Sequence, residues 1–220
     1  MILALARPLI VAAGLAVALA ACSTTGTGSG PSAVPTGVAG SPGPGGDCPT
    51  AQPAALAAGE TRDVTITTEL GDIVVHVEAD LSPIAVGNFV ALAECGFYDG
   101  VVFHRLVPGF VIQGGDPEGT GGGGPGYEIQ DDPLVGTYGR GTVAMARTPA
   151  PDSQGSQFFI VLDDEAERAL TTAQFPYAIL GEVTEGMDVV DSIAAMPNSG
   201  GQSNAALEPV AMDRVTVSTP

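Results

Sequence analysis

The sequence contains no tryptophan and no lysine: its seven basic residues are all arginine, set against 25 acidic ones. A formal charge of −18 excludes a protein built to hold nucleic acid or another polyanion. No metal is placed on the acidic runs, which read as solvated surface, and no cofactor is expected; histidine occurs only at His76 and His104 and cysteine only three times. The same shortage leaves no Ser, His and carboxylate arrangement for hydrolysis. Long apolar runs are scarce too. The longest begins at Leu9 and ends at Ala21, short of the ~20 residues that a spanning helix needs.

That run follows a single early cation, Arg7, and ends in "LAAC", Leu19 to Cys22. The pattern is that of an export signal, and its ending resembles a bacterial lipobox, whose cysteine receives lipid. Residues 1–21 are therefore expected to be a lipoprotein signal peptide and Cys22 the lipidated N-terminus. Residues 22–47 follow as a Gly, Pro, Ser and Thr tether without an apolar period. A flexible coil of that length reaches about 25–30 Å. The expected location is extracytoplasmic, anchored to the cell membrane. A lead segment over 48–60 precedes one folded domain over 61–220, a size that buries a full core.

Within the domain the pattern is that of a β-protein. Val64 and Ile66 alternate with polar residues, Leu70-Gly71-Asp72 reads as a turn, and Ile73, Val75 and Val77 alternate again, predicting a hairpin. His76 falls on the face opposite Ile73 and Val75 and reads as a surface histidine. "LSPIAVGNFVALAEC" switches to helical spacing, with Ser82 as N-cap and Pro83 at the first position. "GMDVVDSIAAM" predicts a second helix, and "EPVAMDRVTVS" a last strand. The acidic runs "DDPL" and "LDDEAE" read as solvated loops and strand ends. "GTGGGGPG" reads as a surface loop, since no helix pattern follows it to complete a phosphate site.

Strand period then sorts the chemistry. In "VFHRL" alternation places Phe103 and Arg105 on one face and His104 on the other, as a structural residue. In "GSQFFIVL" it places Gln157 with Phe159, and Phe158 opposite. After the Pro108-Gly109 turn come Phe110, Val111 and Gln113. Three segments thus supply Arg, Gln and Phe without a nucleophile.

"FHRLVPGFVIQGGDPEGTG", "GTVAMA", "SQGSQFFIVL" and "ILGEVTEGMDVVD", in that order, resemble the cyclophilin family of peptidyl-prolyl cis/trans isomerases. The resemblance runs from about Thr61 to Thr219. It implies a mainly β fold, a closed eight-stranded antiparallel barrel capped by two α-helices, with the site in an external groove. It also implies that Arg105, Phe110 and Gln113 are catalytic. Val111, Ala146, Arg147, Gln157, Phe159, Phe175 and Tyr177 would bind substrate. Val111 stands where Met is frequent, Arg147 where many members have Asn, and Tyr177 where eukaryotic members usually have His. The implied partners are proline-containing polypeptides bound by a monomer. The alternative is a tethered module or holdase that captures proline segments with little turnover. Cys48 and Cys95 either form a disulfide, worth up to about 4 kcal/mol for such a loop, or Cys95 is only a small buried residue.

The lipobox reading predicts that Cys22→Ala releases the protein from membranes or blocks its processing. Membrane fractionation with mass spectrometry of the mature N-terminus checks this. An unmodified Cys22 with unchanged membrane association would contradict it.

Overall fold

The computed structural model describes residues 47–173 and 176–220. The expected signal peptide, Cys22, the tether to residue 46 and Phe175 lie outside the described residues. Eight strands and three helices follow in the order β1 (Thr61–Thr68), β2 (Gly71–Glu78), α1 (Pro83–Glu94), β3 (Val102–Val107), β4 (Val111–Asp116), β5 (Thr142–Met145), β6 (Phe158–Val161), α2 (Ala166–Thr171), β7 (Ile179–Glu185), α3 (Met187–Ala194) and β8 (Arg214–Ser218). The short α2, a third helix beyond the two expected, begins at the end of the acidic stretch read as loop and runs past it.

All strands join one antiparallel sheet in the order β3-β4-β6-β5-β7-β2-β1-β8. The sheet curls around a core that takes its inner side chains from every strand, among them Ile66, Ile73, Phe103, Ile112, Val143, Phe158, Leu180 and Val215. Its end strands β3 and β8 share no ladder among the described residues, so the closed barrel is not observed as such. β3 instead meets the chain just ahead of β8, through the Val102 to Ala211 bridge and the Phe103 N–H bond to the Val210 carbonyl at 2.9 Å.

The β1–β2 hairpin turns one residue earlier than expected. Thr68 pairs with Gly71 and Thr67 with Asp72, leaving Glu69 and Leu70 as the loop. His76 is half-buried opposite Asp63, its Nδ1 2.7 Å from the Asp63 carboxylate. In α1, Pro83 is in the first turn as predicted, but Ser82 makes no capping bond. The cap is Asp132, whose carboxylate accepts the N–H groups of Ile84 (3.3 Å) and Ala85 (2.9 Å). An acceptor at this end of a helix satisfies free N–H groups and meets the positive end of its dipole. Burial pushes the Asp132 carboxyl up, partly offset by those same N–H bonds.

The lead segment is strapped across α1. At Gly87 an added Cβ would lie 2.5 Å from the Ala54 carbonyl oxygen, so only glycine admits the crossing. A Cys48–Cys95 disulfide, with Cα atoms 5.2 Å apart, fixes the strap to the C-terminal end of the helix.

The register of β3 overturns one expectation. Phe103 pairs with Gly114 but Arg105 with Gln113, so His104 is an extra residue, a β-bulge. The bulge puts Phe103 in the inner core and Arg105 on the outer face, where simple alternation had placed them together. His104 is buried, and neither ring nitrogen finds a hydrogen-bond partner among the described residues. Burial lowers its pKa, and the nearby Arg105 charge adds to this, while Asp116 and the Val102 backbone oppose it.

As pH falls, the unfolded chain protonates its ordinary histidine, of pKa about 6.5, before the folded chain does. The contribution of His104 to stability is therefore full above that value and is lost toward its lower folded pKa. We expect the melting temperature to fall from pH 7 to pH 5, and His104→Leu to remove that part of the fall. An unchanged slope in the variant would assign it to other groups.

Candidate active site

Four residues stand in a row across the outer face of the sheet. Arg105 on β3 pairs with Gln113 on β4, Gln113 with Phe159 on β6, and Phe159 with Ala144 on β5. Residues directly opposite each other in antiparallel strands point to the same side. The row therefore sets a cation, an amide and an aromatic ring side by side.

A hydrogen-bond relay fixes the polar end. Arg105 Nη1 donates to Gln113 Oε1 at 3.3 Å, and Gln113 Nε2 donates to Gln157 Oε1 at 2.9 Å. Gln157 Nε2 in turn donates to the carbonyls of Gly121 (3.1 Å) and Gly123 (2.9 Å). Each amide accepts on one side and donates on the other, so the direction of the relay is unambiguous. The glycine loop that ends it is wound around Asp116, whose carboxylate accepts N–H bonds from Glu118 (2.8 Å), Thr120 (3.0 Å), Gly121 and Gly123 (3.2 Å). Burial alone would raise the Asp116 carboxyl; the N–H groups of Glu118, Gly123 and Gly121, with His104 nearby, outweigh it and hold the pKa below the usual value.

Arg62, Arg140 and Arg147 each lie within ion-pair distance of a carboxylate. Arg105, half-buried, has none among the described residues, and its one hydrogen bond goes to a neutral amide. In a chain with 25 acidic residues this leaves a preorganised donor with capacity to spare.

The apolar end is a second cluster on the outer face. Val111 and Phe159 are buried in it with Tyr138, Ala144, Val161 and Ile179, and the partly exposed Phe110, Ala146 and Tyr177 pack against it. The Tyr177 ring stands edge-on to Phe159, with centroids 5.3 Å apart and planes at 88°. Phe110 closes the tight turn after β3, its N–H bonding to the Val107 carbonyl at 3.0 Å while Gly109 takes φ +67°. A cavity of about 530 Å³ opens beside this cluster. It shares Gln113, Gln157, Ala146 and Arg147 with the expected site residues and is otherwise walled by the glycine loop and by Thr148, Ser153, Gly155 and Ser156.

The remaining site residues are placed differently. The Arg147 side chain is 2% exposed, and its guanidinium binds Asp131 at 2.8 Å and the Ala150 carbonyl at 2.6 Å. Asp116 and Tyr138, which carry no motif of their own, and Asp131, expected in a solvated loop, support the site. The Tyr138 hydroxyl donates to the Tyr177 carbonyl (2.8 Å) and accepts its N–H (3.0 Å). A carboxylate or hydroxyl that bonds a distant backbone leaves no local pattern. Their nearness to the quoted motifs was the only available signal.

The family model for cyclophilin type peptidyl-prolyl cis-trans isomerases matches residues 63–217. The chain belongs to this family. Peptidyl-prolyl cis-trans isomerase A of Dickeya dadantii is 36% identical over 169 residues, which cover 74% of this chain and 88% of the relative. Peptidyl-prolyl cis-trans isomerase B of Streptomyces anulatus is 39% identical over 174 residues, covering 70% and 95%. Among solved structures, the Cryptosporidium parvum cyclophilin type isomerase in the presence of the dipeptide Ala-Pro is similar at a TM-score of 0.62. That match has 30% identity and covers 72% of this chain and 99% of the other. This cyclophilin is accordingly a peptidyl-prolyl cis-trans isomerase, an enzyme that turns X-Pro bonds without breaking a covalent bond.

Proposed function

We propose that the row from Arg105 to Phe159 is the isomerase site, and that it acts on proline-containing segments of exported polypeptides. The observation that carries this is Arg105 itself. It is a half-buried cation with no carboxylate partner among the described residues, held by Gln113 at the border of an aromatic cluster.

Resonance across an X-Pro amide sets a barrier of about 18–20 kcal/mol, so uncatalysed rotation takes tens to hundreds of seconds. Phe110, Val111 and Phe159 form the wall for the proline ring. Gln113 and Gln157 orient the peptide beside it. As the bond twists, the prolyl nitrogen loses conjugation and gains a lone pair, which Arg105 meets with an N–H. That contact is stronger in the transition state than in the ground state, so it accelerates rotation rather than merely tightening binding. A 10⁵-fold acceleration requires about 7 kcal/mol. One charged hydrogen bond supplies about 1.5–3 kcal/mol, and water exclusion and positioning supply the rest.

The cellular setting rests on two features. The N-terminal sequence ending at Cys22 supports a lipid-anchored protein facing an extracytoplasmic space, with clients that pass by as unfolded chains. The Cys48–Cys95 bridge suits an oxidising compartment. The chemistry as drawn needs no metal or cofactor.

Arg105→Ala should lower kcat and kcat/KM together by about 10²–10³ for an X-Pro peptide, the scale for losing a transition-state donor. Phe110→Ala should also raise KM, because it removes up to about 3 kcal/mol of apolar contact. Circular dichroism establishes that each variant is folded. Parent-level turnover in folded Arg105→Ala would overturn the mechanism. A parent that suppresses aggregation without accelerating peptide rotation would instead be a proline-segment holdase.

A further inference from the structure

Arg147 follows the groove-edge residue Ala146, yet its guanidinium is turned into the protein. Nη1 donates to Asp131 Oδ1 (2.8 Å) and to the Pro176 carbonyl (3.2 Å), and Nη2 to the Ala150 carbonyl (2.6 Å). Asp131 is as heavily engaged. Its carboxylate also accepts Gln154 Nε2 (2.8 Å) and the Asp152 N–H (3.0 Å), and its own N–H bonds Asp152 Oδ1 (2.8 Å). Burial alone would raise this carboxyl, but the Asp152 N–H, Gln154 and Arg147 together hold it below its usual value, so it stays charged opposite the arginine.

One ion pair therefore joins four lengths of chain: the segment before α1's capping Asp132, the turn after β5, the segment before β6, and the approach to β7. Two of these carry the site. On one side Ala146 donates its N–H to the Gln157 carbonyl (2.8 Å), next to the relay that holds Arg105. On the other, Pro176 leads directly into Tyr177, whose backbone is held by Tyr138 and whose ring braces Phe159. A lysine offers one ammonium on a single stem in place of the Nε, Nη1 and Nη2 donors that here reach Thr148, Asp131, Pro176 and Ala150.

We propose that Arg147, paired with Asp131, is a positioning residue that sets the Tyr177 edge against Phe159 and so fixes the affinity for the proline ring, without itself touching substrate. The proposal rests on the assignment of Phe159 to the isomerase site. The clamp acts on the binding wall and leaves the Arg105 donor in place, so its loss removes ground-state and transition-state binding alike.

The test is steady-state kinetics on a short X-Pro peptide, with aromatic proton NMR of Tyr177. Arg147→Lys should raise KM about fivefold to twentyfold with kcat within about threefold of the parent, the pattern for lost uniform binding. The Tyr177 ring signals should shift in the same variant. Asp131→Asn should do the same, and the double variant should add little to either, because one interaction is being removed twice. A change that only loosened the fold would lower the melting temperature and leave KM of the folded protein unmoved, which would overturn the proposal. So would a raised KM in Arg147→Lys with a parent value in Asp131→Asn, which would place the guanidinium on substrate. Should the ion-pair variants not fold, Tyr177→Ala leaves the clamp intact and must raise KM by a comparable factor; an unchanged KM there also overturns it. Parent protein without turnover would sink the site assignment itself, whereas an active parent with unmoved KM in the variants sinks only the clamp.

Discussion

A guanidinium must be kept beside an apolar wall without a carboxylate to neutralise it, and the rest of the structure answers to that requirement. A partner carboxylate would stabilise Arg105 but would compete with a weak acceptor such as a twisted amide nitrogen. A neutral amide holds the cation in direction and leaves its remaining donors available. Gln113 does this at 3.3 Å, and it is itself held by Gln157, which is held by two glycine carbonyls. The charge is positioned by dipoles, the arrangement that stabilises charge developing during a reaction without reorganising at that moment.

The sheet supplies the geometry because it has two unlike faces. Its inner face is filled by the main core, while the outer face carries a smaller cluster around Val111 and Phe159 that stays open on one side. Arg105 reaches the outer face only because the bulge at His104 reverses the alternation of β3. The bulge leaves a histidine buried beside Asp116, whose carboxylate winds the glycine loop that ends the relay. A backbone irregularity, a buried imidazole and a loop-organising aspartate are thus parts of one arrangement.

Much of this was legible in the sequence. Period two exposed the first hairpin and the split of Phe158 from Phe159, and the Ser-Pro start and apolar spacing exposed α1. The Arg, Gln and Phe motifs identified both family and candidate site. What was hidden depends on partners distant in the chain. Strict alternation put Phe103 with Arg105, since a bulge has no signature in "VFHRL". The acidic run "DDPL" looked like solvated surface, yet Asp132 caps a helix 47 residues earlier and Asp131 pairs with Arg147. A carboxylate carries no local mark of whether its partner is water, a helix end or an arginine. The open seam of the sheet was likewise beyond pattern reading, because the chain ahead of β8 meets β3 through isolated bridges rather than through a strand of regular period.

The central claim is that Arg105 recognises the twisted amide more strongly than the planar one. Calorimetry can test it on two ligands, an ordinary X-Pro peptide and an analogue whose prolyl nitrogen is already pyramidal, each titrated into the parent and into Arg105→Ala. The account predicts that the variant keeps the peptide within about threefold of the parent affinity and loses about tenfold or more on the analogue, since only the second presents the lone pair. Equal losses on both ligands would contradict it and make Arg105 a general binding residue.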